Sequence, residues 1–381
     1  MISNRYELVL LGPAKDRYRE KVVVAVSDLF TAIGLDFGRD GAALIGAKMP
    51  DWTGFPVTIW FGDKSKSDDK EMAVLTEFLN RGFSVLPVVS DLKYYSADVP
   101  KELHPINGQV WDVARVSADV MKGFRLARTL RQAFISYRRS ESSGVASQLF
   151  HELSDRTFRV FLDTASVEGG ADFQRALWGR MADVDVVTLL DSPGALDSNW
   201  VHQELNRAHD LGLAVVQLIW PGHKPSFGTD LSLPVPLKID DFEGGKTDRF
   251  AILTAPKLAE VVSVIETQRI RSLSARRTRL VEGLLDHAKV KGCAIYVHPM
   301  RNVDVLKGSS KIAEIVPFVG VPDALAIYQH ETDKKHDPTI VVYNGLGVDP
   351  EWATHLRWLS DKTGVGVHQI DDLGTYISTV V

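Results

Sequence analysis

A tryptophan and a glutamate four residues apart, Trp200 and Glu204 in "SPGALDSNWVHQEL" (192–205), are the first candidates for chemistry in this chain. On a helix that spacing puts both side chains on one face, an indole wall beside a carboxylate. Spacing alone describes a packing indole and a solvated acid equally well, and on amphipathic helices that is the commoner outcome. A second candidate is the arginine pair of "FISYRR" (134–139). Arg138 and Arg139 carry forked donors suited to a pyrophosphate, with the rings of Phe134 and Tyr137 beside them. Adjacent residues point in different directions, so at least one of the two arginines is expected to be a plain surface charge. A third candidate is "FRVFLDTASVEGGADF" (158–173), in which Gly169–Gly170 make a pliant loop and Phe173 follows. Asp163 closes its apolar run. It faces a site from the strand end or caps the turn, and the residues leave both open.

These stretches need strands and helices to hold them in register. Short β-branched runs alternate with amphipathic segments along the chain, which predicts parallel sheets covered by helices. The runs "YELVLLG", "PVTIWFG" and "FSVLPVVS" predict buried strands in a first segment, with helices at "REKVVVAVSDLFTAIG" and "DDKEMAVLTEFLNRG". A second segment has "QAFISYRR", "FRVFLD", "DVVTLL" and "AVVQLIW". A third has "CAIYVHP", "ALAIYQH" and "TIVVYNG", with a helix at "PEWATHLRWLSDKTG". The joints fall near residues 128/129 and 268/269, giving segments 1–128, 129–268 and 269–381.

With 381 residues, 45% of them hydrophobic and 24% charged, the composition is that of a globular protein of two or three domains. A net charge of −5 gives no general reason for nucleic-acid binding. Cys293 is the only cysteine, which excludes an intrachain disulfide and suits a reducing compartment. Its apolar surroundings, "GCAIYVHP", make it a core residue rather than a nucleophile. No stretch reads as a membrane helix and the N-terminus lacks a signal-peptide layout, so a cytoplasmic location is expected.

The middle segment resembles the TIR domain family at three ordered places. "FISYRR" matches its first strand and following loop, "FRVFLDTASVEGGADF" its second strand and glycine-bearing BB loop, and "SPGALDSNWVHQEL" the loop and helix after its third strand. The words "SYRR", "SPGALD" and "WVHxE" are similar to those of the NAD-hydrolysing TIR domains of animal axon degeneration and of bacterial defence. The resemblance covers residues 129–268. It implies a central flavodoxin-like α/β domain, a parallel sheet with helices on both faces, flanked by two smaller α/β domains. The first segment repeats the strand–loop–helix pattern without the motifs, which leaves a TIR-like plan open there.

In that family the glutamate matching Glu204 is the catalytic residue of NAD+ cleavage. The resemblance therefore implies an NAD+ nucleosidase that yields nicotinamide and ADP-ribose or a cyclic form. NAD+ is then the substrate, with no separate cofactor and no metal. Glu204 would stabilise oxocarbenium-like charge on the ribose. Phe134, Tyr137, Arg138, Arg139, Asp163, Phe173 and Trp200 would line the pocket, and Gly169 and Gly170 would let the BB loop switch and touch a second TIR copy. Homo-oligomerisation is expected, in response to a trigger the sequence does not name. A non-catalytic TIR adaptor and a nucleotide-sensing module are the alternatives.

Other features carry less. "HETDKKH" contains His330, Glu331 and His336 but not the H-E-x-x-H spacing of a zinc helix. "RIRSLSARRTR" (269–279) could touch phosphate, and the expectation is a solvated helix face. "NGLG" (Asn344–Gly347) could approach a phosphate or be a bare turn, the commoner outcome.

Overall fold

A computed structural model describes residues 6–13, 16–32, 35–50, 52, 56–64, 68–81, 83–124, 126, 131–162, 181–195, 206–225, 232–298, 302–324, 326–328 and 339–375. The chain divides into two compact units, Met1–Arg128 and Thr129–Val381.

The first unit holds one five-stranded sheet. Its strands are β1 (Tyr6–Leu11), β2 (Gly41–Ile45), β3 (Val57–Phe61), β4 (Val85–Val89) and β5 (Gln109–Val110), in the order β2-β1-β3-β4-β5. All four pairings are parallel. Its central strands are near-continuous apolar runs because both faces are covered. Val9, Leu11 and Trp60 pack with Val74, Leu75 and Phe78 of α2 (Asp69–Asn80). From the other face Tyr6 meets Phe30 of α1 (Asp16–Ala32) at 5.5 Å and Phe124, just past α3 (Val113–Gly123), at 5.4 Å. The α2 helix starts where Asp68 accepts a hydrogen bond from the Lys70 N–H, one donor the first turn cannot satisfy internally.

The second unit contains two sheets. One is formed by β6 (Arg131–Ser136), β7 (Phe158–Leu162), β8 (Val186–Asp191), β9 (Ala214–Ile219) and β10 (Leu233–Pro236), in the order β10-β9-β8-β6-β7, again all parallel. Alternate residues serve opposite faces. Ala133, Ile135, Val186 and Leu190 pack with Leu149 and Leu153 of α4 (Arg139–Asp155) and with Val261, Val262 and Ile265 of α5 (Ala255–Val290). Phe134, Val187 and Leu189 pack the other way, against Met181, Ala182, Ala208 and Leu211. Full burial of each of the Val, Leu, Ile, Phe and Met side chains among these contributes roughly 1.5–3 kcal/mol.

The remaining sheet is mixed, not wholly parallel as the runs predicted. Strands β11 (Ala294–Val297), β12 (Val303–Lys307) and β13 (Ser310–Phe318) form an antiparallel meander. Strands β14 (Thr339–Tyr343) and β15 (Gly366–Gln369) then add in parallel to β13. The charged hairpin β12–β13 hides its strand character from composition, because one face is polar. There Lys311 Nζ lies 2.9 Å from Asp304 and 3.0 Å from Glu314, and His298 lies 2.7 Å from Asp304. Burial raises the Asp304 pKa, but the hydrogen bonds from His298 and Lys311 outweigh it and hold the carboxyl below its ordinary value. "ALAIYQH" is a second correction: residues 324 and 326–328 are helical. Asp323 after Pro322 caps the turn, accepting from the Ala326 N–H at 2.8 Å. A short apolar run does not by itself separate strand from helix.

The α5 helix spans 36 residues and serves both sheets of the second unit. Its first half covers the β6–β10 sheet, and Leu284 and Ala288 near its end enter a core with Cys293, Val303 and Ile340. The arginine-rich stretch lies inside this helix, and the solvated-face expectation holds for Arg271 and Arg279, which are exposed, and fails for Arg269 and Arg276. Arg269 is 1% exposed and its Nε lies 3.4 Å from Asp185. Nearby, Arg131 meets Glu266 at 2.7 Å. Arg276 donates to the carbonyls of Val184 and Ala182 at 2.8 and 3.2 Å. A 3.6-residue repeat turns Arg269 and Arg276 inward, where a carboxylate and the carbonyls just before β8 await them. Among the described residues no helix is long and apolar enough to cross a membrane.

Candidate functional site

Open parallel sheets offer a crevice at the carboxyl ends of their strands, where the strand order reverses. In the β10-β9-β8-β6-β7 sheet that point lies between β6 and β8. The chain leaves β6 at Ser136 into Tyr137 and Arg138, and leaves β8 at Asp191 into Ser192, Pro193 and Gly194.

The two exits are fastened together. Arg138 donates to the Gly194 carbonyl at 2.7 Å and pairs with Glu141 at 3.1 Å. Glu141 in turn accepts from the Gly194 N–H at 2.9 Å. One carboxylate and one guanidinium thus satisfy both backbone groups of the same glycine. An added Cβ there would meet the Arg138 guanidinium, so a larger residue is accommodated only if the clamp shifts. The local sequence explains how Glu141 reaches back. The first turn of α4 is distorted at Ser142 (φ −138°, ψ 25°), immediately after it.

A second anchor holds the end of β8. Asp191 is 0% exposed and accepts from Gln217 Nε2 at 2.6 Å, while His223 Nε2 lies 3.2 Å from its other oxygen. Its own carbonyl accepts from the Trp220 N–H at 3.0 Å. A buried carboxylate persists only where such partners replace water. Together these contacts set the position and direction of residues 191–195, from which the chain continues into 196–205.

Of the residues singled out from sequence, Phe134, Tyr137, Arg138 and Arg139 are described. Phe134 is fully buried in the core with Met181 and Val187, so it floors the sheet and presents no ring to a solute. Tyr137 is half-buried and packs against the α4/α5 core. Arg138 is a loop clamp, with 42% of its side chain exposed. Arg139 opens α4, is exposed, and has no side-chain partner among the described residues. Asp163, Gly169, Gly170, Phe173, Trp200 and Glu204 lie outside the described residues, as do His330, Glu331 and His336. Among the described residues no group of three or more His, Cys, Asp or Glu side chains could hold a metal ion.

Sequence reasoning missed Glu141, Asp191, Gln217 and His223. Asp191 and Gln217 had a signal: each is a polar residue in or ending an apolar parallel strand, where an unpaired polar group is costly. Glu141 had none, because its partner is the backbone of a residue more than fifty positions away.

The TIR domain family matches residues 133–242. The NAD(+) hydrolase sarm1 of Drosophila melanogaster is 32% identical over 109 residues, 25% of this chain and 8% of that protein. The chain therefore spans a small part of that relative's length. A solved structure, an ABC transporter substrate-binding protein from Desulfitobacterium hafniense in complex with Leu, aligns over 81% of this chain and 99% of its own. Its identity is 12% and its TM-score 0.19, too low to carry an argument.

Proposed function

As residues 133–242 belong to the TIR domain family, we propose that this chain cleaves the nicotinamide–ribose bond of NAD+, releasing nicotinamide and leaving ADP-ribose or a cyclised form. The observation that carries the reading is the double anchoring of residues 191–195 at the switch point, by Arg138–Glu141 on one side and Asp191–Gln217–His223 on the other. Such anchoring makes a rigid stem for the segment bearing Trp200 and Glu204. A carboxylate lowers the barrier electrostatically only if it is held in place before charge develops. The likeness to an NAD(+) hydrolase supports the same reading.

In this proposal Glu204 faces the ribose as it gains oxocarbenium character, and Trp200 walls the nicotinamide side. Arg139 is the guanidinium available for the pyrophosphate, since Arg138 is engaged with Gly194 and Glu141. The Gly169–Gly170 loop completes the pocket against a second copy, so self-assembly turns the enzyme on, in a defence or signalling response. The test is to incubate the purified chain with NAD+ across a wide range of protein concentrations and follow nicotinamide. Specific activity should rise with concentration by mass action. Glu204→Gln should lower it on the order of a hundredfold or more with an unchanged melting temperature. Full activity in that variant would refute the assignment.

A further inference from the structure

Two stretches apart from that site, the arginine-rich 269–279 and the glycine turn Asn344–Gly347, come together at one cavity. Strands β13, β14 and β15 run parallel and end at Phe318, Tyr343 and Gln369. Beyond those ends lies a cavity of about 230 Å³, lined by Phe318, Asn344 and Asp371 from the strand ends, Arg276 and Arg279 from α5, and Asp210. This is the carboxyl edge at which open α/β sheets receive ligands.

The arginines are held in different ways. Arg276 is fixed by its bonds to the Val184 and Ala182 carbonyls. Arg279 makes no hydrogen bond or ion pair among the described residues, and its guanidinium lies against Gly212. The turn that brings Asn344 to the cavity is shaped by its glycines. Gly347 sits at φ +78°, and a Cβ there would strike the guanidinium of Arg207. Arg207 Nε is itself buried without a hydrogen-bond partner.

We propose that this cavity binds a small monophosphate ester carrying hydroxyl groups: a phosphorylated sugar, with or without an attached base. Two guanidinium groups and an amide match one phosphate. Asp210 and Asp371 accept hydrogen bonds from sugar hydroxyls and repel a second anionic group, which disfavours polyphosphates. Phe318 offers an apolar wall. The volume is below the roughly 300–1,000 Å³ of sites for drug-sized molecules, which fits a ligand of this class. Asp210 and Arg207 follow Glu204 closely in sequence, so occupancy would alter NAD+ cleavage. That consequence rests on the proposed reaction; the binding does not.

The experiment is calorimetry on the full chain, without NAD+, using ribose 5-phosphate, AMP, inorganic phosphate and adenosine in turn. Ribose 5-phosphate and AMP should bind, both more tightly than inorganic phosphate, and adenosine should not. Tighter binding of AMP than of ribose 5-phosphate assigns a contact to the base, and equal binding assigns none. Arg279→Ala, at an exposed helix position, should weaken both at least tenfold without lowering the melting temperature. Absence of binding by both sugar phosphates, equal binding of adenosine or of inorganic phosphate, or unchanged affinity in Arg279→Ala would overturn the site. A chain that binds ribose 5-phosphate but releases no nicotinamide would leave this site standing and remove the cleavage reading instead.

Discussion

The first sheet and the β6–β10 sheet have the same strand order, 2-1-3-4-5 when each is counted from its own first strand, and both fasten the crevice between strands one and three with a glutamate, an arginine and a glycine. In the first unit Glu71 of α2 accepts from the Gly12 N–H at 2.8 Å and lies 3.7 Å from Arg19, which also donates to the Gly12 carbonyl. In the second unit Glu141 and Arg138 hold Gly194. The direction is reversed. In one case the helix after strand three clamps the exit of strand one, and in the other the helix after strand one clamps the exit of strand three. Burial differs too. The Arg19 and Glu71 side chains are 13% and 11% exposed, and those of Arg138 and Glu141 are 42% and 27% exposed. The same three residue types make a mostly buried clamp in one unit and a water-exposed clamp in the other. A shared strand order thus says where a ligand could sit, and the exposure of the clamp says only how firmly each edge is fastened, since the first unit keeps a cavity of about 180 Å³ at the exits of β3 and β4.

The largest expected effect tests that contrast directly. Glu71→Ala removes the acceptor of a buried N–H and the ion-pair partner of a mostly buried guanidinium, which should destabilise the first unit by about 3 kcal/mol. Glu141→Ala, at the exposed clamp, should cost about 1 kcal/mol or less. Activity should reverse the ranking. If Glu204 acts as proposed, unfastening residues 191–195 should lower kcat on the order of tenfold to a hundredfold, while folded Glu71→Ala protein should keep its rate. Should Glu71→Ala not fold, Glu71→Gln supplies the same comparison with a smaller loss. Denaturant melts and nicotinamide release on the same preparations decide it. Equal stability losses, or a kcat loss for Glu71→Ala, would break the contrast.

These clamps show what the sequence could and could not reveal. The parallel strands β1, β3, β4, β6, β8 and β9 were legible because burial on both faces forces apolar runs, and the partly buried edge strand β7 because its residues are nonetheless mostly apolar. So was α6 (Pro350–Thr363), which begins at the Asp349 cap and ends at Gly364 in a left-handed conformation, φ 67°. Strands β2, β5 and β10 were not legible: they lie at or near sheet edges, are short or half-exposed, and need no strong pattern. The hairpin β12–β13 was missed because its polar face pairs Asp304, Lys311 and Glu314 with one another. In the site, residue types announced Arg138 but not its use, since a guanidinium that binds a carbonyl reads the same as one that binds a phosphate. Glu141 and Asp191 depend on partners far along the chain, and only the folded register brings those partners near.

A smaller effect separates the two arginines at the open clamp. If Arg139 meets the pyrophosphate equally in ground and transition states, Arg139→Ala should raise KM about tenfold and leave kcat nearly unchanged. On the proposed reading Arg138→Ala should instead lower kcat, because Arg138 fastens Gly194 and Glu141. Initial rates over a range of NAD+ concentrations distinguish the two. A KM effect confined to Arg138→Ala would exchange their roles. No change in either variant would remove both the clamp and the phosphate contact from catalysis.

The smallest effect is a pH dependence confined to the second unit. Burial holds the His209 and His368 pKa values below the ordinary 6.5, against weaker opposing pulls from Asp210 and Asp372 respectively. For a histidine lowered in this way the unfolded chain takes up the proton first. Stability is therefore full above pH 6.5 and declines as the pH falls from there toward the lower folded-state values. Both histidines belong to unit Thr129–Val381. In the first unit the lowered group is Asp40, a carboxylate with an ordinary value of 3.8, which stays ionised throughout that range. Hydrogen-exchange protection measured at pH 7.5 and pH 5.5, corrected for intrinsic rates, should fall in the β6–β10 and β14–β15 strands and hold in β1, β3 and β4. His368→Gln should lessen the fall in β14 and β15. An equal loss of protection in both units would trace the dependence to groups outside these two histidines, and the contrast between the units would then not extend to their titration.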